Sequence, residues 1–280
     1  MDHAGVVRVC STRDSTPGRI PLALGDSLSA FDRYLDARRF HCDTGGMTEL
    51  RGASILLVGA SGGLGREMAT LLHDRGALLT LAGRDEESLR AVGVPGAIVT
   101  GDVTESGVPE KFVQAALDAH GKLDGVIYAA GAVAFGPASE VADQTLDDLW
   151  KVNTKAPMAL LRASTPSLQA QAEAGGSPFL LALSGVVSES PTAGLAAYSA
   201  VKSALHAHFS AAGREMRRLG IRLVDARPGH TETELSKHPL AGQAPAFPPG
   251  FQPREVATRI IEAIENDEKD LPSTAFAALG

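Results

Sequence analysis

Six short, continuously apolar runs, each followed by a helical pattern, constrain this chain more than any other feature. They are "ILLV" at 55 to 58, "ALLTLAG" at 77 to 83, "AIVTGDV" at 97 to 103, "GVIYAAG" at 125 to 131, "PFLLALSG" at 178 to 185 and "IRLVDARPG" at 221 to 229. Runs that are apolar throughout, rather than at every second position, suit parallel strands covered on both faces. Between them lie helical patterns such as Leu64, Met68, Leu71 and Leu72, recurring at i, i+4, i+7 and i+8. Longer ones run from Thr145 to about Gln171 and from about Ala197 to Leu219. A final helix, "REVATRIIEAIEN", precedes "LPSTAF", which is expected to add an edge strand. Repeated βα alternation with right-handed crossovers predicts an α/β fold: a doubly wound, mostly parallel sheet of Rossmann type with helices on both faces.

One domain of this kind fits within 280 residues. Residues 1 to 46 differ in texture and show no sustained period, so they are expected to be a disordered or dispensable N-terminal extension to a domain over 47 to 280. The alternative is that "LSAFDRYLDARRF" forms a short docking helix. Both cysteines, Cys10 and Cys42, fall in that extension, which leaves the body no disulfide framework or thiolate metal site. The net charge of −7 argues against a nucleic-acid binder, which needs a cationic face. No apolar run is long enough to cross a bilayer and no secretory core opens the chain, so a cytoplasmic protein is expected.

After the first strand comes "GASGGLG", with Gly59, Gly63 and Gly65 around Ser61 and Leu64. A strand entering a turn and then a helix presents free N–H groups and the positive end of the helix dipole, a seat for a pyrophosphate. An ordinary βα connection with packing glycines is the plain alternative. The turn lacks the Lys-Ser/Thr of an NTP-hydrolysing loop, which disfavours ATP hydrolysis. At the end of the second strand, Gly83 stands where an acid would hold a ribose 2′-hydroxyl, and Arg84 follows, a planar cation suited to a 2′-phosphate. NADP(H) is therefore favoured over NAD(H), with Asp85 read as the cap of the next helix.

In "AAYSAVKSAL", Tyr198 and Lys202 stand at i and i+4, on one helix face. Free tyrosine titrates near pH 10, and a nearby ammonium favours its phenolate, so the pair suits proton transfer. A buried tyrosine beside a surface lysine is the bland alternative. Taken with the glycine turn, the pair is no longer isolated. From Met47 onward the chain resembles the short-chain dehydrogenase/reductase family, through "VGASGGLG", "GDV" at 101 to 103, "AAG" at 129 to 131, Asn153 in "KVNTKAP", Ser184 in "LALSG", "YSAVK" at 198 to 202 and "RPGHTET" at 227 to 233.

The resemblance implies that Tyr198 is the general acid in carbonyl reduction and the general base in alcohol oxidation. Lys202 would lower its pKa and hold the nicotinamide ribose, and Asn153 would hold a water linking Lys202 to solvent. Asp102, backed by Val103, would bind the adenine amino group, and Gly131 would lie beneath the ribose. Pro228, Gly229, Thr231 and Thr233 would grip the carboxamide. A small ketone, aldehyde or alcohol is the implied substrate, and a homotetramer or homodimer the implied assembly.

Three departures stand out. Val58 replaces the usual Thr, and Ala129 the second Asn of the fourth strand's end. The catalytic serine commonly lies thirteen residues before the tyrosine, where this chain has Gly185; Ser184 lies fourteen before. A one-residue insertion in "VVSESPTAG" would bring Ser184 into place, with Ser188 as the fallback. The proline-rich stretch from Thr233 to Pro253 is expected to form a lid, with Phe247 and Phe251 lining an apolar pocket. His206, His208, His230 and His238 lack metal-ligand spacing, so no metal is assigned. If neither serine reaches substrate, the chain becomes an NADP(H)-binding sensor with impaired catalysis.

Overall fold

The computed structural model describes residues 48 to 279, and the expectations for residues 1 to 46 lie outside them. Six parallel strands, β1 (Ser54–Val58), β2 (Leu78–Gly83), β3 (Ala97–Thr100), β4 (Gly125–Tyr128), β5 (Phe179–Leu183) and β6 (Arg222–Ala226), form one sheet in the order β3-β2-β1-β4-β5-β6. The order reverses between β1 and β4, so their carboxyl ends open a crevice at a topological switch point, where such sheets hold ligands.

Both faces of the sheet are covered, as the unbroken apolarity of the strands demands. Helices α1 (Gly63–Asp74), α2 (Glu86–Arg90) and α7 (Pro253–Glu265) bury Met68, Leu72, Leu89, Ile260 and Ile264 against one face, with Ile55, Leu57 and Leu181 of the strands. On the other face, Phe112, Leu160 and Phe209 meet Leu56, Val126 and Leu180. They come from α3 (Val108–His120), α5 (Ala156–Glu173) and α6 (Ala196–Met216). Asp85 caps α2 by accepting a hydrogen bond from the Ser88 N–H at 2.8 Å.

Three elements differ from the sequence reading. The long helical pattern after β4 is not continuous: α4 (Asp143–Trp150) passes into a π-helical turn, Lys151–Lys155, before α5 begins. β3 stops at Thr100 rather than running to Val103, because Asp102 bends the chain by accepting from the Thr104 N–H and hydroxyl at 2.9 and 2.7 Å. The edge strand expected from "LPSTAF" is reduced to one bridge, Ala226 to Leu271, followed by a 3-10 turn over Ser273–Leu279. Pro272 follows Leu271 and cannot donate to a ladder, which ends the pairing after a single residue.

A buried ionic cluster does what that missing strand would do. Arg227, 3% exposed, donates to Asp270 through two nitrogens at 2.7 and 2.8 Å, to Asp225 at 3.0 Å, and to Glu189. It ties β6 to the segment beyond α7 and to the loop after β5. Removing the guanidinium would leave the buried Asp225 with His206 and the field of Lys202 but without its Arg227 partner, so Arg227→Ala is expected to cost roughly 3 kcal/mol, measured by urea unfolding.

Candidate functional site

The crevice is built first from the glycine turn. Gly59 has a φ of +82°, and a Cβ there would lie 2.6 Å from the Ala130 nitrogen, because the end of β4 crosses immediately behind it. At Gly65 a Cβ would run into the Gly59 carbonyl. Only glycine keeps α1 this close to the strand it follows. Gly62 caps α1 with no side chain, and no acid occupies the first turn. The N–H groups of Gly63, Leu64 and Gly65 therefore point out of the helix end without intrahelical partners, beside the half-buried Ser61. This is a cradle of the shape and polarity a pyrophosphate needs. Val58 at the end of β1 is wholly in the core and adds no polar group.

Around the cradle lie the other predicted positions. Arg84 is exposed at the carboxyl end of β2. Asp102 engages one oxygen in its own turn, so a base amino group would have to approach the other; Val103 anchors the turn in the core. Thr233 overhangs the glycine turn, its methyl lying where a Gly63 Cβ would be, 2.6 Å from that position. Val186 donates to the Pro228 carbonyl at 2.9 Å, and Thr231 donates to the Gly229 carbonyl at 3.0 Å while bridging to Phe251.

Tyr198 and Lys202 lie on one face of α6, with the ammonium 5.7 Å from the ring centre. Lys202 is 5% exposed and donates to the Leu183 carbonyl, the last of β5, at 2.7 Å. Burial pulls its pKa down to about 8, against the opposing field of Asp225. Burial also pushes the Tyr198 phenol above its ordinary range. The phenol is thus held neutral at pH 7, the form a proton donor needs. A Cβ added at Gly131 would lie 3.4 Å from the Asn153 amide oxygen and 4.0 Å from the Lys202 nitrogen, so the glycine is a neighbour of both.

Asn153 is fully buried within the π-helical turn, its amide nitrogen donating to Ala132 O at 2.8 Å and Leu149 O at 3.0 Å. Its oxygen accepts from the Ala132 N–H at 3.3 Å. On the other side of the same turn the Tyr128 hydroxyl donates to the Val152 carbonyl at 2.6 Å. Carbonyls in a π turn lose regular partners, so Tyr128 and Ala132, both from the β4 end, clamp Asn153 from two sides. The sequence reading missed Tyr128. Its signal was a polar-tipped aromatic closing a strand buried on both faces. It also missed Asp225, an acid inside an apolar strand, which accepts from His206 at 2.7 Å and stands behind Lys202.

The serines form a pair. Ser184 is fully buried, its hydroxyl 3.1 Å from that of Ser188, and Ser188 donates to the Gly185 carbonyl at 2.7 Å. The Ser184 proton then belongs to Ser188, so the half-buried Ser188 is the member nearer solvent. Gly185, with a φ of +77°, turns the chain between them. The lid meets the site through Phe247, which packs on the cluster of Val133, Phe135 and Leu195 that also receives Tyr198. Phe251 does not share that pocket: it packs into the core beneath α7, against Gly229. Among the described residues no three His, Cys, Asp or Glu side chains are arranged to hold a metal, and no helix is long and apolar enough to cross a membrane.

The short chain dehydrogenase family model matches residues 53 to 243. The chain belongs to that family. It is an oxidoreductase of the NAD(P)-dependent short-chain type. An uncharacterized oxidoreductase of Staphylococcus epidermidis is 28% identical over 195 residues, covering 68% of this chain and 83% of its own. Another from Staphylococcus aureus is 26% identical over 223 residues, covering 78% and 93%. A 3-ketoacyl-(acyl-carrier-protein) reductase from Brucella melitensis, complexed with NADH, superposes with a TM-score of 0.71 at 21% identity, covering 81% of this chain and 99% of its own. A short chain dehydrogenase from Burkholderia cenocepacia, complexed with NADP, gives 0.71 at 22% identity, covering 82% and 92%. These two share the doubly wound fold with this dehydrogenase.

The short-chain dehydrogenase binds the Lys202 proton less tightly folded than unfolded, since its pKa falls from near 10.5 to about 8. The penalty of burying the charge is full below pH 8 and is relieved as pH rises toward 10.5. Relative to Lys202→Met, the parent should therefore gain up to roughly 3 kcal/mol between pH 7.5 and 10.5, at about 1.4 kcal/mol per unit. Urea unfolding of both proteins across that range checks it.

Proposed function

We propose that this protein is an NADP(H)-dependent reductase of a small ketone or aldehyde, reversible with a secondary alcohol. The observation that carries the reading is the glycine cradle at the switch point together with Tyr198 and Lys202 on one face of α6, the lysine nitrogen being a neighbour of Gly131 and through it of Asn153. The dinucleotide supplies the hydride when bound. Tyr198 then gives its proton to the carbonyl oxygen, which gains negative charge as its carbon is reduced. Lys202, an ammonium below about pH 8, favours the phenolate left behind, and Asn153 anchors the path by which the proton is replaced. A serine hydroxyl completes the charge stabilisation. Sequence spacing favours Ser184, while its burial and its hydrogen bond to Ser188 support Ser188 as the hydroxyl that reaches substrate, with Ser184 donating to it.

Gly59, Ser61, Gly63, Leu64 and Gly65 would hold the pyrophosphate, Asp102 and Val103 the adenine, Gly131 and Lys202 the ribose, and Pro228, Gly229, Thr231 and Thr233 the carboxamide. Arg84, exposed next to Gly83 at the end of β2, supports NADP(H) over NAD(H). A cytoplasmic location accords with that cofactor. A homodimer or homotetramer is supported by Leu146 and Trp150 of α4, large apolar side chains 43% and 44% exposed beside Ala200 of α6.

One observation favours a second reading. Both serine protons are already donated, that of Ser184 to Ser188 and that of Ser188 to the Gly185 carbonyl, and Gly185 occupies the usual serine spacing, as in a chain that binds NADP(H) and turns over poorly. Steady-state reduction of a carbonyl panel by the parent, Tyr198→Phe, Ser188→Ala and Ser184→Ala separates the two. The reductase reading expects losses of about 10²-fold or more for Tyr198→Phe and Ser188→Ala, and a smaller one for Ser184→Ala. Unchanged turnover in Tyr198→Phe would refute Tyr198 as the general acid and base, and tight NADPH binding without turnover across the panel would favour the sensor. For cofactor choice, Arg84→Ala should weaken NADPH about tenfold or more and leave NADH within threefold by fluorescence titration; equal losses would defeat the assignment.

A further inference from the structure

The lid is fixed to the body at both ends and by one side chain between. At its start, the Leu240 N–H donates to Val133 O at 2.8 Å and the Phe135 N–H to Ala241 O at 2.9 Å. At its end, Glu232 accepts from the Gly250 N–H at 2.7 Å, and Phe251 pairs back to His230 at 2.9 Å. From Gly242 to Pro249 every residue is exposed except Phe247. That ring stacks on His230 with centroids 4.5 Å apart and planes at 30°, and meets Phe135 at 6.0 Å. His230 is in turn held 3.5 Å from Glu232, the residue that fastens the end of the lid.

The same ring reaches the apolar cluster into which Tyr198 packs, together with Leu195 and Val187. A carbonyl that approaches Tyr198 under the closed lid is therefore bounded by aliphatic and aromatic side chains, with one aromatic face supplied by the lid itself. Such walls stabilise an apolar substituent, and above all a flat one, while they leave a carboxylate desolvated and unpaired. We propose that Phe247, oriented by His230, is the specificity-determining residue of the site, and that it selects uncharged carbonyl compounds bearing an aryl or similarly bulky apolar group. This deepens the reductase reading and rests on it.

The test pairs 1-phenylethanone with 2-oxobutanoate in NADPH-dependent reduction by the full chain, its Phe247→Ala and Phe247→Leu variants, and Tyr198→Phe, with circular-dichroism melts to confirm folding. The parent should prefer the phenyl ketone by tenfold or more in kcat/KM. Phe247→Ala should raise KM for that ketone about tenfold, with a smaller change in kcat, and Phe247→Leu should restore most of it. A KM that stays or falls in Phe247→Ala, or a parent that prefers the 2-oxo acid, overturns the proposal. Saturation-transfer NMR with benzamide and NADP⁺ gives a readout free of turnover: transfer to the ring protons in the parent and in Tyr198→Phe, lost in Phe247→Ala. No transfer in the parent also overturns it. No turnover of either carbonyl compound by the parent would instead sink the reductase assignment, full turnover in Tyr198→Phe would remove only the role of that tyrosine, and the NMR result would still decide the role of Phe247.

Discussion

The structure turns on a cation held where water does not reach. Lys202 keeps its charge at neutral pH because the Leu183 carbonyl accepts its proton and Asp225 supplies an opposing field. Those two partners come from neighbouring strands, at the ends that open on the crevice. The ammonium thus depends on the register of β5 against β6, in which Leu183 pairs with Ala226. Asp225 is itself occupied by Arg227 and His206, and Arg227 by Asp270, so a chain of charges runs from the active site to the sheet edge. A fold with fewer buried charges would not need this scaffold, but it would not hold a lysine beside a phenol.

The architecture was legible because the strands are apolar on both faces. Nothing but a parallel sheet sandwiched between helices satisfies runs such as "ILLV" and "FLLAL", and the glycines at 59 and 65 mark where the first helix must press against its strand. What stayed hidden are features that depend on partners distant in sequence. "KVNTK" has an ordinary helical composition, and its π turn becomes visible only when Tyr128, from another strand, is seen to take the Val152 carbonyl. "LPSTAF" has strand-like residues, yet one proline after the first paired position defeats the ladder.

The proton chemistry shows the same division. The i, i+4 spacing placed Tyr198 and Lys202 together, but spacing alone suggested that the lysine would acidify the phenol. Packing adds an influence that spacing does not carry, since burial disfavours both charged forms at once, raising one group and lowering the other. The serine position was legible as chemistry and ambiguous as geometry. Counting along the chain could not show that Gly185 turns with a positive φ and tucks the Ser184 hydroxyl behind Ser188.

Thr233 overlies the glycine cradle, and fourteen residues later the same segment packs Phe247 onto the cluster that also receives Tyr198. One stretch of chain thus borders both the cradle and the apolar cluster, and it is fastened to the body between them by the Leu240–Val133 and Phe135–Ala241 hydrogen bonds, so its two halves are anchored separately.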